Sequence, residues 1–149
     1  VGGWENVLKF QNESYQTNTF GIGTKVFSIL DGDIRKMVKK EYKNLPKSFL
    51  PINSIEKYLY KVITTPSLNK IKKEINDSFF AVESLDNILA DYYSDGDNNG
   101  KNLYRKLLKN LEGRGISEEA FVKELCDIIM RHENFEPFTA EIKNKINKI

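Results

Sequence analysis

Asp31 and Asp33, separated by a single glycine, are the residues of this sequence whose types and spacing best suit chemistry. They directly follow the apolar run KVFSIL (25–30), which is typical of a strand buried on both faces. Ligands of open parallel sheets gather at the carboxyl ends of the strands. Two carboxylates this close repel each other, so a cation beside them is expected, and their hard oxygens favour Mg²⁺ or Mn²⁺. The alternative is a polar turn in which Asp31 caps the next helix.

A second Asp-Gly-Asp stretch, residues 95–97, resembles the first half of an EF-hand calcium loop. The residues that match its first, third, fifth and sixth positions are Asp95, Asp97, Asn99 and Gly100. The twelfth position requires a bidentate glutamate but is Lys106. We therefore expect a polar loop that leads into a helix near Gly100 rather than a calcium site.

Two further titratable residues have both a structural and a functional interpretation. Glu56 falls in the first turn of a helix that Ser54 is expected to cap, where the helix dipole stabilises a carboxylate. The same side chain could instead point towards the aspartate pair, and spacing does not decide between the two. His132, the single histidine, lies near a helix end, where a cation is favoured, so a structural role is preferred to catalysis.

The composition is that of a globular domain with a core. Of the 149 residues 40% are hydrophobic and 30% are charged, which argues against disorder, and no apolar run reaches the roughly 20 residues of a membrane span. A single cysteine, Cys126, excludes an internal disulfide and fits a reducing cytoplasm. The start VGGWENVLKF is unlike a secretory signal, and we expect the chain to be a fragment of a longer protein.

Positive charge is concentrated directly after the aspartate pair. The segment 35–73 carries eleven Lys or Arg against Glu41 and Glu56, a balance of +9, whereas the whole chain has a net charge of +2. This asymmetry indicates an anionic partner on that side of the molecule. The alternative is an ordinary solvated, lysine-rich helix face.

Apolar spacing predicts a mixed α/β start and a helical remainder. The expected elements of the first part are a helix from Trp4, a strand over 25–30, a short helix over 34–43, a second strand over 47–50 and a helix from Ser54 to Pro66. The rest of the chain spaces its apolar residues three or four apart, which predicts further helices, one of them over 82–93.

Three segments together resemble the latter half of a Toprim domain, as found in topoisomerases, bacterial primases and OLD (overcoming lysogenization defect) nucleases. They are VGGWENVLKF (1–10), VFSILDGDIR (26–35) and FLPINSIEKYLYK (49–61). The glycine pair, the helix and the strand that ends in LDGD follow the Toprim order. The segment LPINSIEKYL resembles the OLD branch, which includes nucleases of Gabija-type phage defence.

The resemblance implies that residues 1–65 are the C-terminal half of a Toprim-like catalytic domain, a partial parallel sheet with flanking helices, and that 66–149 form a helical C-terminal region. In that family the carboxylates bind divalent metals that cleave a phosphodiester. Asp31 and Asp33 match the DxD metal ligands, Glu56 is a candidate further ligand, and Lys101 is the candidate for the lysine that OLD nucleases use beyond the Toprim core.

The expected activity is therefore that of a cytoplasmic, Mg²⁺-dependent DNA endonuclease, with DNA as the partner and no membrane. The resemblance also implies an upstream metal-binding glutamate and an N-terminal ATPase domain in the longer protein, so this chain by itself is expected to be incomplete or inactive. The resemblance is compatible with a homo-oligomer. Two alternatives stay open. One is a haloacid-dehalogenase-like phosphatase with Asp31 as nucleophile, although Arg35 stands where Thr or Val is usual. The other is a helical interaction module in which the Asp-Gly-Asp turn is structural.

Overall fold

The computed structural model of the protein describes residues 3–93, 96, 97 and 99–148. In this part of the chain there are seven α-helices, two short strands and three 3-10 helices. The chain divides into two compact units, the first formed by Val1–Ser54 with Phe135–Ile149 and the second by Ile55–Asn134. The expectation of a mixed α/β chain that is mostly helical after its first part is confirmed for the described residues.

The elements follow one another in a simple order along the chain. The α-helices are α1 (Trp4–Thr17), α2 (Ile55–Thr64), α3 (Asn69–Phe79), α4 (Leu85–Ile88), α5 (Lys101–Gly113), α6 (Glu118–His132) and α7 (Glu136–Ile146). The strands are β1 (Ser28–Leu30) and β2 (Lys47–Phe49), and the 3-10 helices are Gly32–Lys36, Lys40–Tyr42 and Pro66–Leu68.

In the first unit, β1 and β2 pair in parallel, with Ser28 opposite Lys47 and Leu30 opposite Phe49. The strand β1 is shorter than the apolar run that predicts it, and the expected burial of both faces is wrong. Ser28 and Leu30 are buried, whereas Ile29 on the other face is 51% exposed. The short helix expected over 34–43 is also wrong, because Lys39 adopts extended backbone (ψ 153°) and two 3-10 helices form instead.

A buried glutamine on α1 fixes the starts of both strands. Gln11 Nε2 donates to the carbonyls of Val26 and Pro46, each at 2.8 Å, and Gln11 Oε1 accepts from the Ser28 hydroxyl at 2.7 Å. The Val26 carbonyl also accepts from the Tyr15 hydroxyl at 2.8 Å. Side chains of α1 thus satisfy main-chain groups just before β1, which explains why the ladder begins only at Ser28.

The last helix, α7, packs on β2 through polar groups. The buried Ser48 hydroxyl donates to Glu141 Oε1 at 2.7 Å, and Lys145 Nζ donates to the Lys47 carbonyl at 2.8 Å. Lys145 also pairs with Glu141, four residues earlier on the same helix. These contacts join two segments that lie more than ninety residues apart in the sequence.

The second unit is a group of helices around an apolar core, as the periodicity predicts. Its fully buried side chains include Leu59, Val62, Ile75, Leu103, Leu107, Leu111, Phe121, Leu125 and Ile128. The Ser117 hydroxyl caps α6 by accepting from the Ala120 amide at 3.2 Å. The helix expected over 82–93 is only the four-residue α4, which Ser84 caps through the Asn87 amide.

Across the described ranges, no helix combines the length and the apolar character that crossing a membrane requires.

Candidate functional site

The Asp-Gly-Asp turn, residues 31–33, is positioned by the main chain of both strands of the first unit. It directly follows β1 and leads into the 3-10 helix Gly32–Lys36. The Gly32 amide donates to the Ile52 carbonyl at 2.9 Å, and the Asp33 amide donates to the Asn53 carbonyl at 3.5 Å. The turn is therefore joined to the segment that continues β2, as expected of residues at the carboxyl end of a parallel sheet.

Gly32 is required by a close approach of two backbones and not by an unusual dihedral angle. The φ angle of Gly32 is not positive. A Cβ built on Gly32 would lie 2.4 Å from the Ile52 carbonyl oxygen and 2.6 Å from that of Leu50. Real Cβ atoms essentially never approach other atoms this closely, so only glycine fits without a backbone shift.

The two aspartates of the turn differ in exposure. Asp31 is exposed, whereas Asp33 is half-buried and its Oδ1 atom is shielded from solvent. In the described structure Asp31 makes no side-chain cap hydrogen bond to the 3-10 helix, so the capping alternative has no support. The donor chemistry fits a hard divalent ion, because Mg²⁺ is commonly held by one or two carboxylates together with water.

The other two predicted site residues belong to the second unit. Glu56 lies in the first turn of α2, and Lys101 is the exposed first residue of α5. The starts of these helices meet at Gly100 (φ +67°), where an added Cβ would clash with the Glu56 carbonyl and the Tyr60 side chain. Glu56 and Lys101 are thus brought near each other within this unit.

The metal set of three acids stays a prediction. Over residues 3–93, 96, 97 and 99–148, no group of three or more His, Cys, Asp or Glu side chains is arranged to hold a metal ion. The structure places Asp31 and Asp33 directly after the end of β1.

Asp97 of the EF-hand-like stretch has a structural role at the start of α5. Asp97 is only 5% exposed and accepts hydrogen bonds from the Asn102 amide (3.1 Å), the Leu103 amide (2.9 Å) and the Tyr92 hydroxyl (2.9 Å). Burial alone would raise the pKa of Asp97, but these donors together hold it below its usual value. Its oxygens therefore bind the start of α5. Asp95 lies outside the described residues.

Lys106 and His132 also make structural contacts. Lys106, which stands where a calcium loop needs glutamate, pairs with Asp91 at 2.7 Å. His132 Nε2 and the Arg131 guanidinium contact the Glu74 carboxylate, so α6 is tied to α3. Hydrogen bonds from these two partners lower the pKa of Glu74. The preferred structural role of His132 agrees with this geometry.

The sequence gives little sign of the charged residues that surround the turn. The Arg35 guanidinium lies over the Phe49 ring, 4.9 Å from its centroid. Hydrogen bonds from Lys145 and Ser48 hold the pKa of Glu141 below its usual value, and Arg35 acts in the same direction. The one available signal is the Glu-to-Lys spacing of four on α7, which indicates a helix pair but not its partner strand.

Comparisons with protein-family models, curated proteins and solved structures find no match for this chain. The resemblance to Toprim domains therefore rests on the three sequence segments, and the family assignment stays a prediction.

Proposed function

We propose that this chain is part of a Toprim-type, Mg²⁺-dependent DNA nuclease of the OLD kind, as used in phage defence or DNA processing. One observation carries the proposal. A parallel strand leads directly into two aspartates whose turn is joined by its main chain to the neighbouring strand's continuation, with Asp31 exposed. This is the edge of a parallel sheet at which ligands bind.

The chain's own residues have distinct roles in this proposal. Asp31 and Asp33 hold the divalent ion. A bound Mg²⁺ supplies activation of water and stabilisation of charge at the phosphate. The roles that the resemblance implies for Glu56 and Lys101, which belong to the second unit, stay predictions.

The charge distribution supports an anionic substrate. The first unit carries eleven Lys or Arg and seven Asp or Glu, a net charge of +4, whereas the second unit carries twelve and fourteen, a net charge of −2. The unit that contains the aspartate turn is thus the basic one. Lysine and arginine contacts to phosphates carry no sequence information, so binding is expected to weaken steeply with salt.

The test is a nuclease assay on a longer protein that contains this chain, because the resemblance implies a further metal-binding glutamate upstream. Asp31→Asn and Asp33→Asn keep the shape of the side chains and remove the charges that a metal requires. We expect each variant to lose Mg²⁺-dependent cleavage. The matched control is Asp127→Asn, an exposed aspartate of α6 in the other unit, which should cleave as the unsubstituted protein does.

A second measurement separates metal binding from activity. Mg²⁺ or Mn²⁺ is added in increasing concentration and the melting temperature is measured. The ion should raise the melting temperature of the unsubstituted protein and of the Asp127→Asn variant, but not that of either turn variant. A protein that cleaves DNA equally well without Asp31 and Asp33 would contradict the proposal. So would the absence of any metal response in the unsubstituted protein, which would leave the turn a structural element.

A further inference from the structure

A pocket of about 390 Å³ lies beside β2 in the first unit. Four of its lining residues are lysines and two are large apolar side chains: Lys43, Lys47, Lys145, Lys148, Leu45 and Phe49. We call it the lysine pocket. A ligand that fits it must combine negative charge with an apolar or flat portion.

Positive charge is built into the wall of the lysine pocket. Lys47 is only 9% exposed, and its ammonium group donates to three main-chain carbonyls, those of Tyr42, Lys43 and Leu45. Among the described residues no carboxylate pairs with it. Burial, and then the neighbouring Lys145, lower the pKa of Lys47. The carbonyl groups keep this cation in place without neutralising it, because they carry no net charge.

The remaining lysines add positive charge to the pocket. Lys145 is balanced by Glu141, with which it pairs on α7. Lys43 and Lys148 are exposed, so their ammonium groups are accessible to a ligand. Among the described residues that line the pocket four are lysines and none is acidic, so an anion that enters it meets a net positive potential.

The lysine pocket adjoins the aspartate turn through Phe49. This residue pairs with Leu30 at the end of β1, lines the pocket and carries the Arg35 guanidinium on its ring. Arg35 is only two residues beyond Asp33. Adjacent strands lie about 4.8 Å apart, and a nucleic-acid strand advances roughly 3.4 Å per phosphate. A strand bound at the turn thus reaches the pocket within a few nucleotides.

We propose that the lysine pocket binds the phosphodiester backbone of a DNA strand beside the nucleotide held at the aspartate turn. Lys43 and Lys148 contact phosphates, Lys47 supplies fixed positive charge, and the apolar wall of Leu45 and Phe49 accepts a sugar or a base. This inference rests on the proposed function, because it takes DNA to be the substrate of the turn.

The experiment measures DNA binding without cleavage. A fluorescently labelled, single-stranded oligonucleotide of mixed sequence is titrated by anisotropy in EDTA, over a series of salt concentrations. Lys43→Gln combined with Lys148→Gln removes two exposed charges and should weaken binding about tenfold near physiological salt. The slope of log affinity against log salt should fall by about 1.4, or roughly 0.7 for each phosphate contact of a single strand.

The control is Lys109→Gln combined with Lys123→Gln, which makes the same change of charge at exposed positions of α5 and α6. It should keep the affinity and slope of the unsubstituted protein. The proposal is overturned if the two double variants behave alike, or if the unsubstituted protein does not bind the oligonucleotide at low salt.

Failure of the proposed function gives a different result. In that case Asp31→Asn leaves cleavage unchanged, or no cleavage occurs with Mg²⁺, while the anisotropy difference between the two lysine variants persists. Conversely, loss of cleavage in Asp31→Asn together with equal binding by both lysine variants overturns the pocket and leaves the nuclease proposal standing.

Discussion

Substitution of Gly32 by alanine is the most direct test of how the aspartate turn is positioned. The added Cβ would meet two backbone oxygens at 2.4 and 2.6 Å, about 1 Å short of ordinary contact, and neither oxygen can rotate away. Relief requires a shift that also weakens the 2.9 Å hydrogen bond from the Gly32 amide to the Ile52 carbonyl. Overpacking costs about 1–3 kcal/mol and a lost hydrogen bond about 1, against a gain of about 0.5–1 from a less flexible unfolded chain. We expect a net loss of about 1–3.5 kcal/mol.

The assay is urea unfolding followed by fluorescence of Trp4, the only tryptophan, which lies on α1 in the same compact unit. With a slope of about 2 kcal/mol per molar urea, the midpoint should fall by roughly 0.5–1.8 M. The control is Gly113→Ala at the end of α5, where an added Cβ meets nothing within 4 Å. If Gly32→Ala unfolds at the same urea concentration as the unsubstituted protein, the close approach is wrong, and so is the placement of both aspartates derived from it.

Two further substitutions test buried charges. Asp97→Asn should destabilise the second unit by about 1–3 kcal/mol at neutral pH, because the start of α5 loses a charged acceptor. Since the folded-state pKa of Asp97 lies below its unfolded value, this contribution is fully present above the unfolded pKa and is lost as pH falls through the folded one. Urea unfolding by circular dichroism should thus show the two proteins converging in acid; a difference that persists there would contradict the account. Lys47→Met should cost about 1–3 kcal/mol, because it leaves the Tyr42, Lys43 and Leu45 carbonyls without their shared donor; unchanged unfolding by Trp4 fluorescence would show that the ammonium group is dispensable.

Helices of the second unit were the most predictable part of the fold. Their apolar residues recur every three or four positions, and the local sequence predicts capping by Ser117. The extent of β1 was not predictable, since it depends on Gln11 and Tyr15 of α1 taking the Val26 carbonyl. No local pattern contains that contact.

The surroundings of the aspartate turn were harder to predict than the turn itself. A dense apolar run followed by Asp-Gly-Asp indicates a strand end with carboxylates, and the structure places them there. The contribution of α7 arises from tertiary packing, because Glu141 meets Ser48 across more than ninety residues of sequence. Spacing rules describe neighbours within one element, so they do not predict pairs between distant segments.

The two Asp-Gly-Asp stretches show why the same three letters do not define a site. In the first, glycine leaves room for the Leu50 and Ile52 carbonyls, whereas in the second Gly96 has a φ of +92° and nothing within 4 Å of its added Cβ. The carboxylates differ accordingly. Asp97 is buried against the amides of α5 and a tyrosine hydroxyl, so its oxygens are occupied by donors of the chain itself, whereas Asp31 is exposed at the end of a parallel strand. A cation would have to displace these donors from Asp97, which argues against a metal site at the second stretch.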